Sequence, residues 1–192
     1  IFGASPDGIC SINSKNKRLI GRMLEIKCPS SRVIVEGEVP SHYWKQIQGQ
    51  LEVCKLWECD YLECKIVVIE QEEFSITNKE RGIVLTIANI NKPGESYIYS
   101  PLDLSNEEYE NWIDKEYDKL IANEDLIFIS KAYWCLEKYN CVLVHRDYKW
   151  FNYIKQDIEK FWKEVEYYRE NGTKDLENKI KKRKKVKVNK SD

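Results

Sequence analysis

The feature that most constrains this chain is a turn followed by a short strand near its amino terminus. Residues 5–8 (SPDG) combine proline, aspartate and glycine, which is turn chemistry. Residues 24–29 (LEIKCP) form an apolar run that holds two charged side chains and ends at a proline. Alternate side chains of a strand share one face, so Glu25 and Lys27 point the same way. Ile26, between them, is predicted to point into the core.

Two acidic side chains and a lysine on this scaffold suit a hard divalent cation. Mg²⁺ prefers oxygen ligands, usually one or two carboxylates, and leaves its other positions to water and substrate phosphate. Asp7 and Glu25 supply such carboxylates. Lys27 adds a charge that can orient the attacking water or stabilise charge developing on phosphorus. The structural alternative is a turn aspartate at residue 7 and an exposed Glu25–Lys27 pair on an edge strand.

A glutamine-containing helix is predicted downstream, over about residues 42–56, with Ser41 as its N-cap. Gln46 and Gln50 lie four residues apart and therefore share one helix face. As solvent-facing helix formers, these glutamines need no functional explanation. Their position after the strand with Glu25 and Lys27 makes a role at that site the competing interpretation.

These three blocks together resemble the PD-(D/E)xK nuclease superfamily and, within it, the YqaJ-like viral recombinase and lambda-exonuclease branch. Pro6 and Asp7 correspond to the PD, residues 25–27 to the ExK, and residues 42–51 (HYWKQIQGQL) to the branch's Y-x-x-Q-[VI]-Q helix. The resemblance covers roughly residues 1–70. An isolated E-x-K arises often by chance, whereas three blocks in the same order are specific.

The resemblance implies metal-dependent hydrolysis of DNA phosphodiester bonds, with one or two Mg²⁺ or Mn²⁺ ions as cofactor. Asp7, Glu25 and the backbone carbonyl of Ile26 are the implied ligands. Lys27 is implied to position or activate the attacking water, and Gln46 to orient the site. Substrate contacts are expected from a further set of polar residues: Ser5, Ser31, Arg32, Tyr43 and Gln50.

Two other functions stay open from the sequence. One is a catalytically incomplete nuclease fold that binds DNA or serves as an assembly module. The chain starts at Ile1, so we expect an amino-terminal segment to be missing, and in relatives such a segment supplies another glutamate. The other is an RNA endonuclease on the same fold. The motifs do not distinguish exonuclease from endonuclease action.

The predicted fold class is α/β: a restriction-endonuclease-like mixed central sheet flanked by helices, with a helical carboxyl-terminal extension. We assign a nuclease core to residues 1–100, the extension to 101–172 and a basic disordered tail to 173–192. Strands are predicted over 7–12, 19–27 and 61–70, the last with Cys64, Ile66 and Val68 as its apolar positions. Residues 82–99 are predicted to form a hairpin.

Two further helices are predicted in the extension. A capping-box pattern at Ser105 and Glu108 begins the first. The second covers residues 150–169, with Asp147 near its start and Asn171-Gly172 as its stop signal. The apolar run 141–144 is placed between these helices.

Charge and apolar content bear on partners and location. Lys174 to Asp192 holds nine of the 31 basic residues and three of the 32 acidic ones, so a mildly acidic body precedes a basic tail. No apolar run approaches the roughly 20 residues of a membrane span, so we expect an intracellular protein, cytoplasmic or nuclear, with no membrane partner. The expected partner is DNA, as duplex ends or a single strand, with a homo-oligomer or a single-strand annealing protein as further candidates.

Cysteine spacing and codon usage complete the predictions. The seven cysteines include no CxxC pair, and we expect free intracellular thiols and no iron–sulfur cluster. Abundant lysine, isoleucine, asparagine and tyrosine suit AT-rich codons, an association with large DNA viruses in whose host cell the protein would act.

Overall fold

The computed structural model describes residues 3–174 and 176–177. Its elements follow in the order β1 (Gly8–Ile9), a 3₁₀ turn (Lys17–Leu19), β2 (Met23–Lys27), α1 (Ser41–Cys54), β3 (Glu58–Ile69), α2 (Gln71–Ile76), β4 (Arg81–Asn89), β5 (Lys92–Tyr99), α3 (Asn106–Ile121), β6 (Leu126–His145) and α4 (Tyr148–Asn171). The first two strands are shorter than the predicted ranges 7–12 and 19–27, and Leu19 belongs to the 3₁₀ turn.

The six strands form one mixed sheet in the order β1-β2-β3-β6-β4-β5. β2 and β3 are parallel, and every other neighbouring pair is antiparallel. Parallel neighbours need a crossover connection, which α1 provides between β2 and β3. A mixed sheet with flanking helices and a final helix confirms the predicted fold class, and the antiparallel β4–β5 pair confirms the predicted hairpin.

Helices α1, α2 and α3 cover one face of this sheet. One buried cluster joins α1 to β2, β3 and β6, and a second joins α2 and α3 to β4 and β6. The two clusters meet β6 on the same side, because the shift of register between Lys65 and Ile66 gives β6 one extra residue and so brings the even-numbered Val144 and the odd-numbered Tyr133 to one face. The opposite face carries partly exposed apolar side chains: Ile26, Ile66, Val68, Tyr99, Tyr139 and Leu143.

The extension predicted as helical does contain α3 and α4, yet the longest strand of the sheet lies between them. β6 spans 20 residues and pairs with both β3 and β4. The sequence predicted no strand here and placed only the apolar run 141–144 between the two helices. Two register shifts, opposite Lys65/Ile66 and Thr86/Ile87, break the two-residue alternation that reveals a strand in sequence.

The predicted helix N-caps agree with the structure in two of three cases. The capping box at α3 is confirmed: Glu108 N donates to Ser105 Oγ (3.2 Å), and Ser105 N donates to Glu108 Oε2 (2.7 Å), bonds that lower the pKa of Glu108. Asp147 caps α4 by accepting from the Trp150 amide (2.9 Å). The prediction of Ser41 as N-cap is wrong, because Pro40 takes that position with extended backbone and Ser41 is the first helical residue.

Most of the predicted basic tail, residues 175 and 178–192, lies outside the described residues. Within the described part of the chain, no helix is both long and apolar enough to cross a membrane. Cys59 and Cys135 are buried, and burial raises the pKa of the Cys59 thiol to about 12, with the neighbouring charge of Glu25 acting in the same direction.

The α1–sheet core gives a first testable prediction. Leu51 is fully buried between α1 and the sheet, so Leu51→Ala should lower the free energy of unfolding by about 2–5 kcal/mol in a urea titration. Leu102 is 52% exposed, and Leu102→Ala is the matched control, with an expected change within about 0.5 kcal/mol. Equal effects of the two substitutions contradict this core assignment.

Candidate functional site

Asp7 and Glu25 meet at the paired ends of β1 and β2. Gly8 lies opposite Leu24 in this antiparallel pair, so Asp7, one residue earlier, lies beside the next residue of β2, Glu25. The Asp7 carboxylate accepts a 2.7 Å hydrogen bond from the backbone N–H of Ile26. Asp7 is exposed, whereas Glu25 is 1% exposed. The turn and the strand that the sequence singled out therefore adjoin in the fold.

Glu25 is a buried carboxylate with three donors. Lys27 Nζ and Gln46 Nε2 (2.7 Å) both donate to Oε1, and Gln50 Nε2 donates to Oε2 (2.8 Å). A buried charge is tolerated only when it is paired and hydrogen-bonded. Strand β2 supplies the paired charge here, and helix α1 supplies both amides.

Gln46 and Gln50 reach the same carboxylate because their spacing places them on one face of α1. Gln50 Nε2 also donates to the carbonyl of Ser5 (3.2 Å), which joins the Pro-Asp turn to the helix. Its Oε1 atom is buried and has no hydrogen-bond partner among the described residues. An unpaired buried oxygen of this kind marks a position for a water or a ligand.

The donor set fits a hard divalent cation. The available ligands are the carboxylates of Asp7 and Glu25, with the amide oxygen of Gln50 near them, and all are oxygen atoms. No group of three or more His, Cys, Asp or Glu side chains in the described part of the chain is arranged to hold a metal. Mg²⁺ accepts such a small protein contribution, because water and phosphate complete its coordination.

Lys27 shares the face of Glu25, as alternation predicts, and contacts the ring of Tyr43 as well. Its Nζ lies 5.1 Å from the ring centroid, and that ring lies 5.8 Å from the ring of Tyr61. Burial raises the pKa of Tyr61 to about 12, although the charge of Arg32 acts in the opposite direction, so the hydroxyl is neutral at physiological pH. The lysine is thus held between a carboxylate and an aromatic wall.

The side chain of Ile26 corrects one prediction. It does not point into the core but lies 39% exposed on the opposite face of the sheet. Helix α1 covers the face of the charged residues, so the polar site is the protected side here. The backbone of Ile26 remains part of the site through its amide bond to Asp7.

Gln48, the third glutamine of α1, has a structural position. It is 1% exposed, donates to the His145 carbonyl (2.9 Å) and accepts from the Asp147 amide (2.6 Å). It therefore ties α1 to the junction of β6 and α4 and does not contact Glu25. Sequence spacing alone did not separate its role from those of Gln46 and Gln50.

The other predicted substrate contacts divide between the site and its border. Ser5 contributes its carbonyl to Gln50, and Tyr43 lies against Lys27. Ser31 is exposed in the loop after β2, and with Arg32 it lines a cavity of ≈ 280 Å³ that Lys65 and Lys138 also border. These two residues are therefore placed beside the site but not within the Glu25 network.

Sequence reasoning missed Glu63, a fully buried acidic residue on β3. It lies opposite Lys27 in the parallel pair and forms an ion pair with Arg32. The signal was present in the alternation of β3, because Cys59, Tyr61 and Glu63 share one face and the first two are suited to a core. We had assigned the buried positions to the other face, through Cys64, Ile66 and Val68.

Comparison with known proteins connects this geometry to a family. Residues 1–56 match the YqaJ-like viral recombinase domain. This confirms the predicted resemblance. The matched segment contains Asp7, Glu25, Lys27 and the glutamines of α1, that is, the whole network around the buried carboxylate. β3 and the elements after it lie beyond the matched segment.

A relative from a giant virus extends the similarity along the chain. The "Uncharacterized protein R354" of Acanthamoeba polyphaga mimivirus is 34% identical over 209 residues. The alignment covers 90% of this chain and 38% of the mimivirus protein. The similarity therefore includes β3 to α4, and the chain spans well under half of that relative. A homologue in mimivirus is consistent with the predicted origin in a large DNA virus.

The two glutamine environments predict different effects of the same substitution. Gln48→Ala removes two buried hydrogen bonds and should lower the free energy of unfolding by about 1–3 kcal/mol, measured by denaturant titration. Gln46→Ala should lower the free energy of unfolding less than Gln48→Ala does. Gln46 is an exposed residue of α1, and Lys27 still donates to the same oxygen of Glu25 when Gln46 is removed. A larger stability loss from Gln46→Ala contradicts this division.

Proposed function

We propose that this chain is a metal-dependent deoxyribonuclease acting in viral-type recombination, DNA-end processing or repair. The observation that carries the proposal is the buried Glu25 carboxylate, held by Lys27, Gln46 and Gln50 beside Asp7. Burial of a carboxylate costs free energy even when the charge is paired and hydrogen-bonded, so stability alone does not account for an acid at this position. The match of residues 1–56 to a viral recombinase domain supports the same activity.

Asp7, Glu25 and the carbonyl of Ile26 would hold the cation, one or two ions of Mg²⁺ or Mn²⁺. When bound, the metal supplies electrophilic stabilisation of charge on the phosphate. Gln46 and Gln50 fix the two oxygens of Glu25 from the helix side, so the carboxylate is preorganised. Asp7 is fixed by the Ile26 amide.

Lys27 supplies the positive charge of the protein nearest to the proposed reaction. Its ammonium group is positioned by Glu25 and by the face of Tyr43, which restricts the flexible side chain to one place. From there it would orient the attacking water or stabilise charge on the phosphate oxygens. Gln46 would hold Glu25 Oε1 in place, the oxygen that also accepts from Lys27.

One observation favours the alternative of a binding or assembly module. The described residues bring two carboxylates, and no third acidic ligand, to the Glu25 site. We therefore infer that the described residues of the Glu25 site hold at most one metal ion tightly.

DNA duplex ends or single strands are the proposed substrates. The proposed location is the cell interior, and the proposed partner is a homo-oligomer or an annealing protein.

Glu25→Gln should abolish both Mn²⁺ binding, measured by calorimetry, and metal-dependent cleavage of DNA. The amide is nearly the same size but lacks the charge that a cation requires. The matched control is Glu58→Gln, because Glu58 also lies in an ion pair, with Arg22, but away from Glu25. Undiminished Mn²⁺ binding by Glu25→Gln ends the metal-site proposal.

Lys27→Ala should lower turnover by about 10²-fold or more while leaving metal binding largely intact, because the lost interaction belongs to the transition state. Lys119→Ala, which removes an exposed ion-paired lysine from α3, is the control and should cleave like the unmodified chain. If Lys27→Ala turns over DNA as fast as that control, Lys27 has no role in catalysis and serves only as the ion-pair partner of Glu25.

A competition assay separates the three candidate functions. A deoxyribonuclease should be inhibited by unlabelled DNA more strongly than by RNA of the same sequence, and the reverse order identifies an RNA endonuclease. A binding module should retain DNA affinity after Glu25→Gln and show no cleavage with any divalent cation.

A further inference from the structure

Glu63 is a buried charge that the proposed chemistry does not use. Its side chain is 0% exposed, although it lies on a strand at the edge of the Glu25 network. Glu25 lies opposite Tyr61 and Lys27 opposite Glu63 across the parallel pair β2–β3. Residues opposite one another share a face, so Glu63 belongs to the side of the sheet that carries the candidate site.

Arg32 is the partner of this carboxylate. Apart from their ion pair, neither oxygen of Glu63 has a hydrogen-bond partner among the described residues. An ion pair to a fully buried carboxylate adds little stability compared with apolar residues of the same volume, because the carboxylate loses its hydration. A gain in stability therefore does not explain why Glu63 is buried in this ion pair. Holding Arg32 in one position does explain it.

Arg32, the member held in place, lies beside the proposed reaction site. The guanidinium carbon of Arg32 is 5.9 Å from the centroid of the Tyr43 ring, the same ring that Lys27 Nζ approaches at 5.1 Å. Two cations thus contact one ring, and each is paired with a buried carboxylate, Glu25 or Glu63. The Arg32 side chain is 35% exposed, with its Nη2 atom buried at the ion pair with Glu63 and its Nη1 atom donating to the Val33 carbonyl (3.3 Å).

We propose that Glu63 is a positioning residue that holds Arg32 against Tyr43, so that Arg32 binds a backbone phosphate neighbouring the one at Lys27. A planar guanidinium suits phosphate oxygens, and one held in place has less side-chain freedom to lose on binding. The inference rests on the proposed function for its substrate, nucleic acid. It assigns to β3 a role outside the segment that matches the family.

The test compares DNA binding by the full 192-residue chain and its variants, with Ca²⁺ in place of Mg²⁺. The probe is a fluorescein-labelled duplex with a single-stranded overhang, titrated at several salt concentrations. Arg32→Gln should weaken affinity about 10-fold and lower the salt slope by about 0.7–0.9, the loss of one phosphate contact. Glu63→Gln should change both quantities in the same direction.

A merely structural role of Glu63 predicts a different pattern. If Glu63 acts through Arg32, the Arg32→Gln/Glu63→Gln double variant should bind DNA no more weakly than Arg32→Gln alone. Glu63→Asp keeps the buried charge but shortens the side chain by one methylene. Its DNA affinity should therefore lie between those of the unmodified chain and Glu63→Gln. Glu58→Gln, the control on the same strand, should leave affinity and salt slope unchanged.

Two results overturn the inference. One is a folded Glu63→Gln variant, judged by its melting temperature, with unchanged DNA affinity and salt slope; if that variant does not fold, unchanged binding by Glu63→Asp has the same meaning. The other is additive loss in the double variant. Absence of metal-dependent cleavage by the unmodified chain instead contradicts the proposed function, and the binding comparison still decides the role of Glu63.

Discussion

The burial of the Glu25 carboxylate is the interaction on which the rest of this site depends. A charge removed from water needs donors from every side, and here they come from the strand and from the helix that crosses over it. Gln50 extends the network to Ser5, and Ser5 precedes the turn that presents Asp7. The turn, β2 and α1 are therefore held together by one polar centre beside the apolar cluster that joins α1 to the sheet.

A second buried acid with a paired cation lies next to Glu25 and Lys27 on the same face of the sheet. The second buried acid, Glu63, pairs with Arg32 as Glu25 pairs with Lys27, and both cations lie against Tyr43. The register of the parallel pair β2–β3 places Glu63 beside Lys27 on the face of Glu25, because residues two apart on each strand return to the same face. The two positive groups beside the candidate metal ligands suit the proposed contact with a phosphate backbone.

Local sequence patterns predicted the features that depend only on residues close together in the chain. The turn at Asp7, the strand with Glu25 and Lys27, the helix with Gln46 and the capping box of α3 follow from spacing and propensity. The burial of each strand face did not follow, because Ile66 and Val68 look like core residues and are 50% and 75% exposed. Which face a helix covers depends on contacts between distant segments, and apolar alternation alone does not report it.

By itself, the sequence determined the order of the motifs, the elements that carry them and the resemblance to a recombination nuclease. Only the tertiary structure decided that β6 joins β3 to β4, that Gln48 supports the fold while Gln50 binds Glu25, and that Glu63 faces the site. The physical reason is the same in each case. These outcomes depend on strand register and on which groups are removed from water together, and both are properties of residues far apart in the chain.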